Sequence, residues 1–168
     1  MFRTLFRALA VAAVAAAPLW AEDLPAPKGE VILTVTGLID VTNAGDSAQF
    51  DLDMLMALDD TTFETSTIWT EGTNVFQGVS LAVLVARLGI EGKILLATAI
   101  NDYAVEIPLS DAVENGPIIA YKMDGKTMSV RDKGPLWVVY SYDSSPVYRS
   151  EVVYSRSIWQ LDRLEAVN

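Results

Sequence analysis

The chain has 168 residues, of which 12 are basic and 22 acidic, and its net charge of −10 argues against nucleic acid and anionic lipid surfaces as partners. Both of those partners require a positive surface on the protein. The sequence contains no cysteine and no histidine. This composition excludes disulfides, thiolate nucleophiles, cysteine-bound metals and every Ser-His-Asp triad. An enzyme built on this chain would use carboxylates, Lys, Tyr, hydroxyls or a bound cofactor.

The first 21 residues have the pattern of a secretory signal peptide. Arg3 and Arg7 lie in a basic start, the apolar run at 9–17 is too short to span a bilayer, and Ala21 precedes the predicted cut. An uncleaved N-terminal anchor is the alternative. Cleavage removes two Arg residues and leaves 10 basic and 22 acidic side chains, a net charge of −12. We therefore expect a periplasmic protein with no membrane span after cleavage.

Residues 22–29 are rich in proline and are predicted to form a flexible lead-in to a single domain at 30–168. The first half of that domain begins with a strand and a turn region. The patterns then predict a short helix capped by Asp51 or Asp53, a strand at 61–67, a glycine-containing corner, and a helix at 81–88 capped by Ser80 and ended by Gly89.

The second half of the domain is predicted to be mostly strand. The patterns indicate a hairpin at 94–107, a helical turn at 110–113, a strand at 117–122 with an Asp-Gly turn, a central strand at 135–142, and final strands at 152–154 and 158–167. Regular alternation of strand and helix is absent from this order. The sequence therefore predicts a mixed α+β domain with a bent or barrel-like sheet.

Polar and aromatic side chains at predicted strand ends are the candidate site. Each has a structural reading too, since Thr is ordinary strand material and Asn-Asp is a common turn. Cations are scarce in so acidic a chain, so a basic loop beside hydroxyls and an aromatic ring would suit an anionic ligand. The candidate ligand-binding residues are Thr65, Ser66, Thr67, Trp69, Asn101, Asp102, Tyr103, Arg131, Lys133 and Tyr142.

The order of several short phrases resembles the molybdopterin-binding domain of the sulfite oxidase family. These phrases are Phe-x-Gly-Val-x-Leu at 76–81, Ala-Tyr-x-Met-x-Gly at 120–125 and Gly-Pro-Leu-x-x-Val at 134–139, and Arg156 to Trp159 resembles the last strand of the family. The resemblance extends over about residues 30–165. It implies a β-rich, barrel-like α+β fold that holds molybdenum through a pterin dithiolene and one protein cysteine.

The resemblance also implies where this chain departs from the family. The ligating cysteine would fall within Thr65-Ser66-Thr67, and none of these is a thiol. A neutral hydroxyl does not replace a soft thiolate on molybdenum. Arg131 and Lys133 are the only candidates for the pterin phosphate in the loop after Met128.

Three functions follow as hypotheses. The first is a non-catalytic periplasmic module that binds or senses a small anionic or pterin-like ligand, or a loop of a partner protein, with no resident metal cofactor expected. The second is an active molybdopterin-dependent oxidoreductase in which a hydroxyl, first of all that of Ser66, or a water replaces the cysteine. The third is a subunit that only contacts other proteins.

Overall fold

A computed structural model describes residues 23–168, and the predicted signal peptide lies outside this range. Two five-stranded sheets and three short α-helices make up the fold. The α+β class expected from the sequence is confirmed. Within residues 23–168 neither sheet closes into a barrel, because each has strands at its edges that pair on one side only.

The first sheet joins the two ends of the domain. Its strand order is β2-β1-β10-β5-β6, and β1 and β10 run parallel while the other neighbours are antiparallel. The pair β5–β6 is the hairpin predicted for residues 94–107. The strands are β1 Leu33–Gly37, β2 Ala48–Phe50, β5 Ile94–Ala99, β6 Ala104–Pro108 and β10 Leu161–Val167.

The second sheet contains the strand that ends at the candidate residues Thr65 and Ser66. Its order is β3-β4-β7-β8, with β9 pairing to β7 beside this path. Gly78 allows β4 to lie close to β7, since a Cβ at this position would come within 2.2 Å of the Ile119 carbonyl oxygen. The strands are β3 Thr61–Ser66, β4 Thr73–Ser80, β7 Ile118–Met123, β8 Lys126–Thr127 and β9 Trp137–Val139.

The two helices predicted from the first half of the chain are present. Helix α1 is Leu52–Leu58, and the side chain of its N-cap Asp51 accepts a hydrogen bond from the Met54 amide. Helix α2 is Leu81–Leu88, and Gly89 ends it in the left-handed conformation. Ser80 precedes α2 without a side-chain cap bond; its amide instead donates to the Asp59 carboxylate at 2.8 Å.

Helix α3 was wrongly predicted as a strand. The two adjacent Val residues at 152 and 153 favour strand by propensity, but Glu151–Arg156 is helical. The Ser150 hydroxyl accepts from the Val153 amide and caps this helix, and Val153 is the residue that enters the core. Tertiary packing therefore overrides the local preference of a β-branched pair.

Three other element predictions differ from the structure. The corner predicted before α2 is instead strand β4, paired with β3 through a turn at Gly72. The apolar run at 135–142 gives only the three-residue β9, because such a run signals burial and not strand length. The helical turn at 110–113 is a 3-10 helix at Leu109–Asp111. Two further 3-10 helices are Val130–Asp132 and Pro146–Tyr148.

One apolar core connects the two sheets and the helices. Its largest fully buried side chains include Trp137, Tyr121, Tyr140 and Tyr142. No helix within residues 23–168 is both long and apolar enough to cross a membrane. The lead-in is held against this core, because Leu24 packs on it and the amides of Lys28 and Gly29 donate to the Asp51 carboxylate.

Candidate functional site

The hydroxyls at the end of β3 are occupied by hydrogen bonds within the protein. The Ser66 hydroxyl donates to the Asp143 carboxylate at 2.9 Å, and the Ser66 amide donates to the same carboxylate. Thr65 is fully buried, and its hydroxyl accepts from the Asp143 amide at 3.1 Å. We call Thr65, Ser66 and Asp143 the hydroxyl latch, because they join the end of β3 to the loop after β9.

The charge of the latch lies on Asp143. Hydrogen bonds from the Ser66 amide and then from the Ser66 hydroxyl lower the pKa of the Asp143 carboxyl below its usual value. The carboxylate form is therefore favoured, since each of these donors stabilises the charged group. At neutral pH the latch consists of a fixed anion and the hydroxyl and amide donors that surround it.

Thr67 organises the loop that follows the latch. Its hydroxyl oxygen accepts from the amides of Trp69 and Thr70, both at 3.0 Å, and pairs with the Thr70 hydroxyl at 2.8 Å. This local turn fixes the backbone from which the Trp69 side chain leaves. Thr67 therefore positions Trp69, and its hydroxyl is already engaged in hydrogen bonds within the loop.

Trp69 lies at the centre of an aromatic cluster. Its ring packs edge-on against Trp137, Tyr142, Tyr154 and Trp159, with centroid separations of 5.8, 6.2, 5.7 and 5.7 Å. Edge-to-face contacts at such separations are favourable beyond the burial of apolar area. The cluster joins β9, α3 and the chain before β10, so Trp69 connects the strand end to three distant segments.

A pocket of about 390 Å³ opens beside this cluster. Four aromatic side chains form much of its wall, together with Ala99 and Ile158. The aromatic residues are Trp69, Tyr103, Tyr154 and Trp159, and the polar ones are Asn101, Ser155, Ser157 and Gln160. We call this the Trp69 pocket. Its wall within residues 23–168 contains no charged side chain.

Two side-chain amides in the Trp69 pocket are only half paired by hydrogen bonds within residues 23–168. The Asn101 side-chain oxygen accepts from the Tyr103 amide at 3.2 Å, and the Gln160 side-chain nitrogen donates to the Val130 carbonyl at 2.7 Å. Within residues 23–168 no hydrogen bond uses the Asn101 nitrogen or the Gln160 side-chain oxygen. The pocket wall therefore offers one donor group, on the exposed Asn101, and one acceptor, on the half-buried Gln160, that no protein group within residues 23–168 pairs.

Backbone geometry supports the placement of these amides. Gln160 has φ of +53° and Asp102, next to Asn101, has φ of +65°. Positive φ is uncommon for residues other than Gly, and Asp is among the residues that adopt it more often than most. Asp102 itself accepts from the Arg163 guanidinium at 2.6 Å and lies outside the pocket wall.

The two predicted cations are placed differently. The Lys133 ammonium lies 5.7 Å from the ring centroids of both Trp137 and Trp159, so it borders the pocket through an aromatic ring of the wall. Arg131 is exposed on the 3-10 helix Val130–Asp132 and does not line the pocket. Of the two, Lys133 is the closer candidate for a negative group on a ligand.

Tyr142 lies in the core and contacts the pocket wall through Ser157. It is buried, and its hydroxyl donates to the Ser157 hydroxyl at 2.7 Å, which in turn donates to the Val153 carbonyl at 2.9 Å. Burial raises the pKa of Tyr142 to about 12. Tyr142 is therefore neutral at physiological pH and acts on the pocket through Ser157.

The structure brings together only part of the predicted site. Trp69, Asn101 and Tyr103 line one pocket, Lys133 and Tyr142 border it, and the hydroxyl latch lies apart from its wall. The sequence reasoning missed Tyr154, Ser155, Ser157, Trp159 and Gln160 as pocket residues. The prediction of strand for residues 152–154 hid them, whereas the Ser150 cap signal would have indicated a helix ending at the pocket.

The side chains present do not fit a molybdenum centre. The three residues at the position expected for the ligating cysteine carry hydroxyls, and each hydroxyl already takes part in hydrogen bonds inside the protein. A hydroxyl that donates to a carboxylate is a weak ligand for a metal that prefers thiolate.

Comparison with known proteins agrees with the fold. In structure the chain is similar to the sulfane dehydrogenase SoxCD from Paracoccus pantotrophus, with a TM-score of 0.58 and 17% identity over 80% of this chain. The chain spans only 37% of that solved chain, and at this identity the likeness shows the fold alone. No curated protein matches the chain.

The family is shown by the sequence itself. Residues 33–142 match the family model described as the oxidoreductase molybdopterin binding domain, which covers more than half of the chain. This range includes Thr65 and Ser66 of the hydroxyl latch, Trp69 and the hairpin that carries Asn101, but it ends before Asp143, α3 and Gln160. The chain therefore belongs to the oxidoreductase molybdopterin binding domain family.

Proposed function

We propose that this protein is a non-catalytic, periplasmic member of its family that binds a planar, pterin-like ligand in the Trp69 pocket. One observation carries the proposal. At the expected metal-ligand position the Thr65 and Ser66 hydroxyls are held by Asp143 and the Thr67 hydroxyl by its own loop, while the neighbouring pocket keeps an unpaired amide donor at Asn101 and an unpaired acceptor at Gln160. The exported location rests on the signal-peptide pattern of the first 21 residues.

The pocket suits a flat heterocycle. Aromatic walls provide apolar contact area for a planar ring, and a few fixed polar groups give orientation, as is usual in small-molecule sites. The pyrimidinone edge of a pterin presents a carbonyl acceptor next to an N–H donor. These groups complement the Asn101 nitrogen and the Gln160 oxygen, which would otherwise lack protein partners.

Charge limits how an anionic ligand would bind. The pocket wall is neutral, and the Lys133 ammonium lies over the ring of Trp159. A negative group on the ligand would therefore point to the Lys133 side, with the ring inside the pocket. This favours a pterin-like ring over a compact anion, which would need a cation within hydrogen-bond distance.

The non-catalytic part of the proposal is tested by elemental analysis. The protein is purified after export in a host that makes the molybdenum cofactor, and its molybdenum content is measured. We expect a molybdenum content well below stoichiometric, because the residues of the hydroxyl latch supply no thiolate. Stoichiometric molybdenum would overturn this part of the proposal and support an active oxidoreductase with a substituted ligand.

The ligand is tested by thermal shift with biopterin, and with benzoate as an anion without the pterin edge. Binding to the native state raises the melting temperature, and we expect the rise with biopterin only. Asn101→Asp keeps the oxygen that accepts from the Tyr103 amide but removes the donor, so biopterin binding should fall about tenfold. Asn115→Asp makes the same change on an exposed loop as control. A lack of any biopterin shift contradicts the proposal.

A further inference from the structure

The free edge of β3 borders a second large concavity, unrelated to the Trp69 pocket. It has a volume of about 720 Å³. Phe63, Ala82, Val83 and Ala86 give it an apolar floor, Thr61 and Thr62 form one side, and Glu114 stands on the other. We call it the β3 groove.

The backbone of β3 is open toward this groove. The Ser66 amide donates to Asp143 and not to its β4 partner Thr73, so residues of this parity point their N–H and C=O away from β4. Thr62 and Glu64 share that parity. Within residues 23–168 no other strand pairs with β3, and no backbone hydrogen bond uses these groups of Thr62 and Glu64.

The hydroxyl latch sets the length of the open edge. Asp143 covers the outward amide of Ser66, so the free stretch lies between the end of α1 and Ser66. Two residues with outward groups provide two donors and two acceptors there. This arrangement is the one to which an extended peptide adds as a further strand, with alternate side chains entering a groove.

The negative charge around the β3 edge favours a basic peptide over a second copy of this chain. Glu114 lines the groove, Glu64 is exposed on the strand itself, and Asp60 precedes it. Within residues 23–168 no Lys or Arg lines the groove. A second copy of this chain would bring these carboxylates together in a protein of net charge −10, which repulsion opposes. A peptide with basic residues meets no such cost.

We propose that the β3 groove binds an extended, basic segment of a partner protein, in which apolar residues alternate with Lys or Arg, by adding it to β3 as a strand. The main-chain bonds form at Thr62 and Glu64. The apolar side chains lie on Phe63, Ala82 and Ala86. The basic side chains lie on the opposite face of the strand beside Glu64, and Glu114 across the groove adds negative charge at longer range.

The test uses fluorescence anisotropy with a labelled heptapeptide of alternating Lys and Val, titrated with the purified protein. We expect saturable binding that is at least about tenfold tighter than for the alternating Glu and Val peptide. Glu64→Lys and Glu114→Lys should each weaken it. Glu106→Lys, which makes the same change on the edge strand β6, is the matched control and should leave it unchanged. Equal affinity for the two peptides would overturn the proposal.

Two N-methylated peptides test the strand addition while the protein stays intact. One carries methyl groups on the Val amides and the other on the Lys amides. Because amides alternate in direction along a strand, one peptide should lose at least about tenfold in affinity and the other should retain it. Loss by both or by neither overturns strand addition. Sedimentation that shows a dimer abolished by Glu64→Lys would instead assign the edge to a second copy.

Discussion

The polar groups on the two sides of Trp69 differ in whether hydrogen bonds within the protein use them fully. On the strand side, the hydroxyl latch has four hydrogen bonds that tie Thr65 and Ser66 to Asp143. On the pocket side, Asn101 and Gln160 each keep one side-chain group that no protein group within residues 23–168 pairs. The strand side has the hydroxyls that the sequence favours, whereas the groups without a protein partner lie on the pocket side. Residue type alone therefore does not show which groups are free to contact a ligand.

Removing the ring that both sides share has the largest expected effect. Trp69→Ala leaves a cavity among four aromatic rings and should lower the free energy of unfolding by about 3 kcal/mol, at the low end for such changes because Trp69 is only partly buried. Urea denaturation measures this. Trp159→Ala, at a ring that is 38% exposed, should cost clearly less. Equal losses would show that Trp69 is not the centre of the cluster.

Burial of Tyr142 beside the pocket should make the free energy of unfolding fall at alkaline pH. The pKa of Tyr142 is raised to about 12 by burial, so the unfolded chain loses this proton first as the pH rises above 10. Stability then falls between about pH 10 and pH 12, by about 2–3 kcal/mol in total. Urea denaturation at pH 9 to 11.5 should show a smaller fall in Tyr142→Phe. An unchanged slope in this variant would contradict the assignment.

The loop that connects the two sides should depend on one hydroxyl. Thr67→Val removes the acceptor of two backbone amides and should lower the free energy of unfolding by about 1 kcal/mol. Thr67→Ser keeps the hydroxyl and should stay close to wild type. Thermal unfolding of the two variants makes this comparison. If both variants melted at the same temperature below wild type, the methyl group and not the hydroxyl would hold the loop.

Acid should remove the stability that the carboxylate of Asp143 contributes on the strand side. This effect should be the smallest of those considered, because Asp143 is exposed to water. Donors from Ser66 hold its pKa below the usual value, so its contribution is present above the unfolded pKa of about 3.8 and is lost as the pH falls through the lower native pKa. Asp143→Asn should be less stable than wild type at pH 7. This difference should shrink toward pH 2.

The control for that experiment is another exposed aspartate. Asp46 has no side-chain hydrogen bond within residues 23–168, so Asp46→Asn should cost less stability at pH 7 than Asp143→Asn. A difference between Asp143→Asn and wild type that stays constant from pH 7 to pH 2 would show that the carboxylate charge does not stabilise the latch.

Local sequence signals determined several elements of this protein. Asp51 caps α1, Gly89 ends α2, and the Asp124-Gly125 pair forms the turn between β7 and β8 with φ of +51° and +75°. These features depend on interactions within a few residues, which the sequence displays directly. The family phrases depend on order along the chain, and the family match confirms them.

Only the tertiary structure decided which side chains are free. The bonds that tie Thr65 and Ser66 to Asp143 span 77 and 78 positions in the chain, and the pocket joins Asn101 to Gln160 across the sheet. No local pattern reports such contacts, because hydrogen bonds between distant segments depend on the register and packing of the sheets. The sequence by itself thus determined the fold class, the absence of a thiol at the strand end and the presence of Trp69 beside it. Folding determined that the hydroxyls there are hydrogen-bonded within the protein, whereas two side-chain amides each keep one group without a protein partner.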